Sequence, residues 1–351
     1  MNRPLREHYQ AARLGVMDLI KGVTPYVGYY QNHNLGDVEL YKIVKGFYRG
    51  KKIVPDVRNR GKYFNISKIR SKDQYLVGGG TLIFAKNILK ACEWLSKYDM
   101  KPVFLGTGAL DTPPQGEELE RWLKIFQQAS YIGVRGTISQ KILKDLGVQS
   151  EVLGDLAFLV NLEQESPLAS NNEVVIVPRS IRPSYYEYFE KDMSTRRLLG
   201  EFVERCLQEK IPVKILCVCG DDAPIIRGWL ESIPAVTYLE YENEFDLFKD
   251  TVMASGCLVS MRMHPGIFAA AWGVPTILLD QRHKFFDSFS PLDNPVADIL
   301  DPESLPVTEL LQRVKQKLNE SMQNRLERFE LVRPLALKQQ KFFMNLDYTS
   351  N

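Results

Sequence analysis

From residue 25 onward the chain alternates short apolar runs with longer stretches whose apolar positions recur every three or four residues. That is the pattern of a parallel sheet wrapped by helices. In the first half it predicts strands at YVGYY (26–30), KIVPD (52–56), QYLVG (74–78), PVFLG (102–106), YIGVR (131–135) and SEVLG (150–154). The second half repeats the logic at EVVIVP (173–178), VKILCV (213–218), AVTYL (235–239), GCLVS (256–260) and PTILLD (275–280). Between them, NLEQESPLASNN (161–172) is polar and lacks periodicity, so it reads as a linker. The prediction is an α/β protein of two doubly wound, Rossmann-like halves, an N-terminal domain over 1–165 and a C-terminal one over 173–303. A charged helical tail, 304–351, packs back across one half or the other.

Composition narrows the function classes. A length of 351 residues suits two domains, and 44% hydrophobic residues supply a sizeable core. Forty-five basic against 43 acidic residues leave a formal charge of +2, too little for the general positive field of a nucleic-acid binder. Any anion site must therefore be local. The five cysteines form no paired framework and no signal sequence opens the chain, which implies a reducing cytoplasm. Cys217 and Cys219 stand in an apolar strand without a second ligand cluster, which reads as core packing, so no metal is expected. The N-terminal RPLREHYQAARLGVMDLIKG mixes Arg3, Arg6 and Arg13 with Leu5, Leu14, Met17 and Ile20 at near-helical spacing. It reads as an amphipathic helix packed on the protein body or, alternatively, lying on an anionic membrane surface.

In open α/β sheets ligands bind outside the carboxyl ends of the strands. The unusual residues fall there. QNHNLGD, GGGTL, GTGALD and RGTIS follow strands of the first half, and RSIR, RMHPG and QRHK follow strands of the second. Gly78, Gly79 and Gly80 either relieve crowding at a strand-to-helix turn or bring backbone amides close to a phosphate or sugar. They are neither the spaced dinucleotide fingerprint nor a Walker loop, since no GK[ST] follows. Asn34, Gly36 and Asp37 either cap the next helix or offer a carboxylate to a sugar hydroxyl.

Arg135, Arg179 and Arg262 each end or follow a predicted strand, where a small or apolar residue is usual. Together they suggest an anion with more than one acidic group, because guanidinium forks match carboxylate and phosphate bidentately. His264 precedes Pro265 at a predicted first helical turn, where proline's missing N–H is not needed. The positive helix end disfavours an imidazolium while a bound phosphate favours it, and such opposed influences suit a proton donor.

These motifs, NLGD (34–37), GGGTL (78–82), VRGTIS with LKDLG (134–147), GDLAFLV (154–160) and RMHPGIFAAAWGVP (262–275), run in the order found in the polysaccharide pyruvyl transferase family, which the chain resembles. The resemblance implies a GT-B-like arrangement with a cleft between the two domains, phosphoenolpyruvate as donor, and a sugar hydroxyl pair of a glycan or lipid-linked precursor as acceptor. No cofactor or metal is implied. The family's arginine-any-histidine motif maps onto Arg262 and His264, associated with the donor. Gly136 replaces an acidic residue common after the VR arginine, and GDLAF replaces the commoner DPAF, which leaves Arg135 and Asp155 without firm roles.

On this expectation His264 is the general acid, Arg262 holds and stabilises the departing phosphate, and Arg135, Arg179 and Lys284 complete the clamp. Asp37 activates or orients the acceptor from the opposite domain. The chain is expected in the cytoplasm, with peripheral contact at the inner face of the membrane through the N-terminal helix. The alternatives are a nucleotide-sugar glycosyltransferase, with Asp280, Asp287 or Glu240 gripping a ribose, and a catalytically inactive glycan-binding scaffold.

Overall fold

The computed structural model describes residues 23–28, 34–48, 52–55, 74–179, 186–220, 222–230, 237–240, 244–280 and 282–348. The amphipathic N-terminal stretch and Arg182 of RSIR lie outside them. The chain forms two compact units. Residues 23–28, Leu40–Leu156 and those from Gln339 onward make the first, and residues 34–39 with Ala157–Lys338 make the second.

In the first unit, strands β1 (Val23–Val27), β2 (Lys52–Pro55), β3 (Gln74–Gly78), β5 (Lys101–Ala109), β6 (Tyr131–Val134) and β7 (Glu151–Val152) form a parallel sheet in the order β2-β1-β3-β5-β6-β7, with a short β4 (Thr81–Ile83) beside β5. The first strand starts three residues ahead of its expected position. Strand β5 runs on through the Gly-Thr-Gly that reads as a loop, because β4 and β6 both pair with that segment. Gly106, at φ +58°, sits where the β5–β6 register shifts, and a Cβ there would lie 2.2 Å from the Gly154 carbonyl oxygen. That left-handed conformation and close approach require glycine. Helix Lys86–Ser96 buries Ile88, Leu89, Ala91, Cys92 and Leu95, a stripe at helical spacing. Near the chain's end, Gln339 Nε2 donates to the carbonyls of Leu153 (3.2 Å) and Asp155 (2.9 Å), and Phe343 packs on Phe47.

The second unit is a parallel sheet of β8 (Val174–Val177), β9 (Val213–Cys217), β10 (Thr237–Glu240), β11 (Cys257–Ser260), β12 (Thr276–Leu279) and β13 (Asp298–Leu300), in the order β10-β9-β8-β11-β12-β13. All four residues of VVIV in β8 are buried, as in a sheet covered on both faces. Strand β13 has no counterpart in the sequence prediction; all three of its residues are only half-buried, so it lacks the apolar run that marks the central strands. Helix Val307–Leu318, from the charged tail, inserts Leu310, Leu311 and Val314 into this core. Arg325, also from the tail, donates to the carbonyls of Ser255 (2.8 Å) and Met253 (2.9 Å) at the end of helix Phe245–Ala254. Burial, with Arg328 nearby, pulls the pKa of this guanidinium down to about 10.

The polar stretch 161–172 is no simple solvent linker, because it begins inside a 3-10 helix, Leu156–Glu163, and the two units divide between Leu156 and Ala157. Asn161 is fully buried, its Nδ2 donating to the carbonyls of Ala271 (2.8 Å) and Phe329 (3.1 Å). Asn161→Ala leaves both carbonyls short of a donor, so the expected cost is about 2–4 kcal/mol, read as an earlier thermal or denaturant midpoint. A midpoint equal to wild type would remove this bracing role. Among the described residues, no helix is long and apolar enough to cross a membrane.

Candidate active site

In the second unit the chain leaves β8 toward β9 and β10 on one side and continues from β11 toward β12 and β13 on the other. The topological switch point, where open sheets of this kind bind ligands, therefore lies between the carboxyl ends of β8 and β11. Arg179 follows β8, and Arg262 follows β11.

The chain turns directly from β11 into helix Met263–Ala271, with extended Arg262 preceding the first helical residue. All nine residues of this helix are buried, which its Gly-Ile-Phe-Ala-Ala-Ala run makes possible. At Gly266 a Cβ would meet Leu278 at 2.3 Å, so glycine lets the helix lie against β12. Trp272 stacks on Phe268, their ring centroids 5.9 Å apart, with Phe245 and Phe248 alongside. This packed base fixes the helix N-terminus, and with it Arg262 and His264.

His264 is buried in the first turn. Its partner is Asp37, with Oδ1 3.6 Å from Nδ1, an ion-pair distance when the imidazole is protonated. Asp37 stands in the first turn of helix Leu35–Phe47, where the helix dipole favours a carboxylate. Asn34 caps that helix: its side-chain oxygen accepts from Gly36 N (3.1 Å), and its carbonyl accepts from Val38 N (3.1 Å). Residues 34–39 belong to the second unit, where Leu35 N donates to the Val218 carbonyl (3.0 Å). The expectation that Asp37 approaches from the opposite domain is thus corrected. It shares a unit with His264 because its helix start is pinned beyond the end of β9. Gly36 makes the meeting possible, since a Cβ there would lie 2.5 Å from both Cβ and Nδ1 of His264.

The Arg262 guanidinium is paired with Asp222, Nε to Oδ2 at 3.0 Å and Nη2 to the same oxygen. Burial opposes the guanidinium charge, yet the Asp222 carboxylate more than offsets it and holds the pKa above its ordinary value. Arg179 Nη1 lies 3.7 Å from Asp280 Oδ2 at the end of β12, and Arg282 grips the same carboxylate through Nε, 2.9 and 2.8 Å from its two oxygens. Lys284, in helix His283–Phe289, sets its ammonium 5.6 Å from the Phe285 ring centroid. Of the three carboxylates suited to a ribose, Asp280 holds two arginines and Asp287 is fully buried, while the Glu240 side chain lies outside the described ones.

In the first unit, Gly79 (φ +81°) and Gly80 (φ +72°) take the left-handed conformation that glycine favours, directly after Gly78 ends β3. The Gly80 carbonyl accepts from Thr107 Oγ1 (3.1 Å) and Gly108 N (3.0 Å), while Thr107 Oγ1 accepts from Leu82 N (3.2 Å). Arg135 is fully buried, and its Nη1 donates to Thr81 Oγ1 at 3.1 Å. A Cβ on Gly108 would strike its guanidinium at 2.4 Å. Arg135 therefore braces the glycine loop from beneath, in a different unit from Arg179 and Arg262. The five cysteines are buried and none is joined in a disulfide, and burial pushes the thiols of Cys92 and Cys206 up to about 12.

Two parallel Rossmann-like units, with arginine–aspartate pairs beside the switch point of the second, define the class by fold: a two-domain α/β protein of the GT-B type. Its particular family follows from the sequence: the model described as "Polysaccharide pyruvyl transferase" matches residues 26–283, and the chain belongs to that family. It is thus a member of a transferase family of polysaccharide biosynthesis. Among curated proteins none matches the chain significantly.

Similar solved structures include S. aureus MnaA with UDP, at 12% identity over 94% of this chain and 97% of that one, with a TM-score of 0.60. UDP-N-acetylglucosamine 2-epimerase from Rickettsia bellii has 9% identity over 93% and 97%, with a TM-score of 0.54. The UDP-GlcNAc 2-epimerase from Methanocaldococcus jannaschii, in complex with UDP-GlcNAc and UDP, has 11% identity over 90% and 99%, with a TM-score of 0.52. At these identities the likeness is one of fold.

Proposed function

We propose that the chain transfers the pyruvyl group of phosphoenolpyruvate to a pair of sugar hydroxyls as a cyclic ketal, on a surface glycan or its lipid-linked precursor. The reaction protonates the methylene carbon of the enol, adds one hydroxyl to the resulting cationic carbon, expels phosphate and closes the ring with the second hydroxyl. It asks for an acid, a base and an anion clamp, and the proposal includes no cofactor or metal.

The observation that carries this reading is the pairing of Arg262 with His264 at the head of one buried helix, beside the β8–β11 switch point. His264 delivers the proton, and Asp37 at 3.6 Å stabilises the imidazolium before transfer. Arg262, with Arg179 beyond the neighbouring strand, meets the phosphate and carboxylate. Lys284 is the third cation of this clamp. The glycine loop 78–80, braced by Thr107 and Arg135, is the proposed contact for the acceptor sugar. The work is assigned to the cytoplasm, with any contact at the membrane's inner face made through the N-terminal stretch.

Thermal-shift titration with phosphoenolpyruvate, and in parallel with UDP, GDP and CMP, tests the donor, because a ligand of the native state raises apparent stability. The expected result is a shift with phosphoenolpyruvate alone, lost in Arg262→Ala. A shift only with a nucleotide would replace this reading by that of a nucleotide-sugar glycosyltransferase.

A further inference from the structure

The cation at the centre of the site is held by a residue outside every motif discussed so far. Asp222 lies beyond β9, with its side chain only 4% exposed, and is anchored through its own backbone. Its N–H donates to the Cys219 carbonyl (2.9 Å), and its carbonyl accepts from Ile226 N (3.0 Å) at the start of helix Ala223–Leu230. Its Oδ2 takes both Nε and Nη2 of Arg262. The backbone of Arg262 is fixed as well, since the buried Ser260 hydroxyl accepts its N–H (3.0 Å) and donates to its carbonyl (2.8 Å). These contacts use one side of the guanidinium. Nη1 makes no hydrogen bond among the described residues.

We infer that Asp222 is a positioning residue, holding Arg262 side-on through Nε and Nη2 so that the Nη1 edge is presented to an anionic ligand. A guanidinium on its long stem carries rotamer entropy, and fixing it before binding removes that cost from the binding step. Asp222 does not occupy the ligand's place, because it takes the opposite edge of the fork. Nor does it swing away readily, because its backbone opens the helix Ala223–Leu230. The inference rests on Arg262 being the anion-binding cation proposed above, and it adds the device that sets that cation's affinity.

The test compares wild type, Asp222→Asn and Asp222→Glu by calorimetric titration with inorganic phosphate and with phosphoenolpyruvate, alongside melting temperatures and steady-state kinetics. Asp222→Asn, nearly isosteric but uncharged, is expected to raise the dissociation constant of both ligands about tenfold, with KM rising in step and kcat at saturation falling much less. Asp222→Glu keeps the charge and displaces it by one methylene, so it too should weaken binding. A glutamate variant with wild-type affinity would overturn the positioning role, since mere neutralisation of a buried charge would then suffice. Tighter binding in Asp222→Asn would also overturn it, making Asp222 a competitor of the ligand.

In an Arg262→Gln background, Asp222→Asn should cause no further loss, and additive losses would place its action elsewhere. Wild type that binds no phosphate would overturn the presented edge itself. Wild type that binds phosphate, loses it on Asp222→Asn and never consumes phosphoenolpyruvate would sink the pyruvyl transfer reading while supporting the role of Asp222.

Discussion

Replacing His264 by alanine is expected to lower turnover by roughly 10² to 10⁴, the usual worth of a positioned general acid, while leaving phosphoenolpyruvate affinity comparatively intact. The division follows from placement. His264 sits inside the first turn of the helix, facing Asp37, whereas Arg262 precedes the turn and carries the fixed charge. Removing the imidazole takes away a proton that matters only as the enol carbon becomes tetrahedral, and removing the guanidinium takes away attraction for the anion in every state. Arg262→Ala should therefore act mainly on binding.

The pH profile gives a second readout of the same assignment. A general acid must enter protonated, so wild-type turnover should fall as pH rises through the imidazole's titration, and that limb should vanish in His264→Gln. Phosphate release, followed with an acceptor found by screening, measures both effects. Equal loss of donor binding in the His264 and Arg262 variants would end this division of labour, and full activity in both would put the site elsewhere.

Most of the fold was legible because central parallel strands are buried on both faces and therefore read as unbroken apolar runs. QYLVG matched β3 residue for residue, and VVIV lies within its predicted strand. Strands β4 and β13 escaped for the opposite reason. Each is three residues long, one in the shadow of a triple glycine and the other half-buried, so neither carries an apolar run long enough to register. The long reach of β5 was hidden by glycines that normally mark turns. The tail's charge pattern announced helices but not their destinations, which depend on single buried contacts such as those of Arg325 and Gln339.

The site was legible to the extent that strand ends could be inspected one by one. Arg179, Arg262 and His264 fall along one edge because β8 and β11 are neighbours in the sheet and His264 opens the helix that follows β11, an order that the alternation alone does not give. Asp222 was missed, although CGDD stands at the end of a predicted strand and the same inspection would have found it. Arg135 could not be separated from the other arginines by sequence, because its defining feature is complete burial against Thr81 and Gly108. The company of Asp37 was hidden as well. A helix start pinned by one backbone hydrogen bond, Leu35 N to the Val218 carbonyl, is a long-range event with no local signature.

Gly36 supplies the sharpest consequence of that arrangement. Its φ does not lie in the left-handed region, so alanine suits the backbone there and any effect must come from space. The added methyl would stand 2.5 Å from Cβ and Nδ1 of His264, well inside van der Waals contact, and His264 is rooted in a fully buried helix. The Asp37-bearing helix start must then move off the histidine or the imidazole must turn away, and either change breaks the pair that lies at 3.6 Å. Gly36→Ala is thus expected to reproduce most of the turnover loss of His264→Ala, roughly 10²-fold or more, with phosphoenolpyruvate binding through Arg262 retained. In a His264→Gly background the overlapping atoms are gone, and adding Gly36→Ala should cost nothing further in turnover or melting temperature. Were Gly36→Ala to turn over like wild type, the close contact between the two helix starts would not hold the acid in place, and the proton donor would have to be sought at another residue of the same edge.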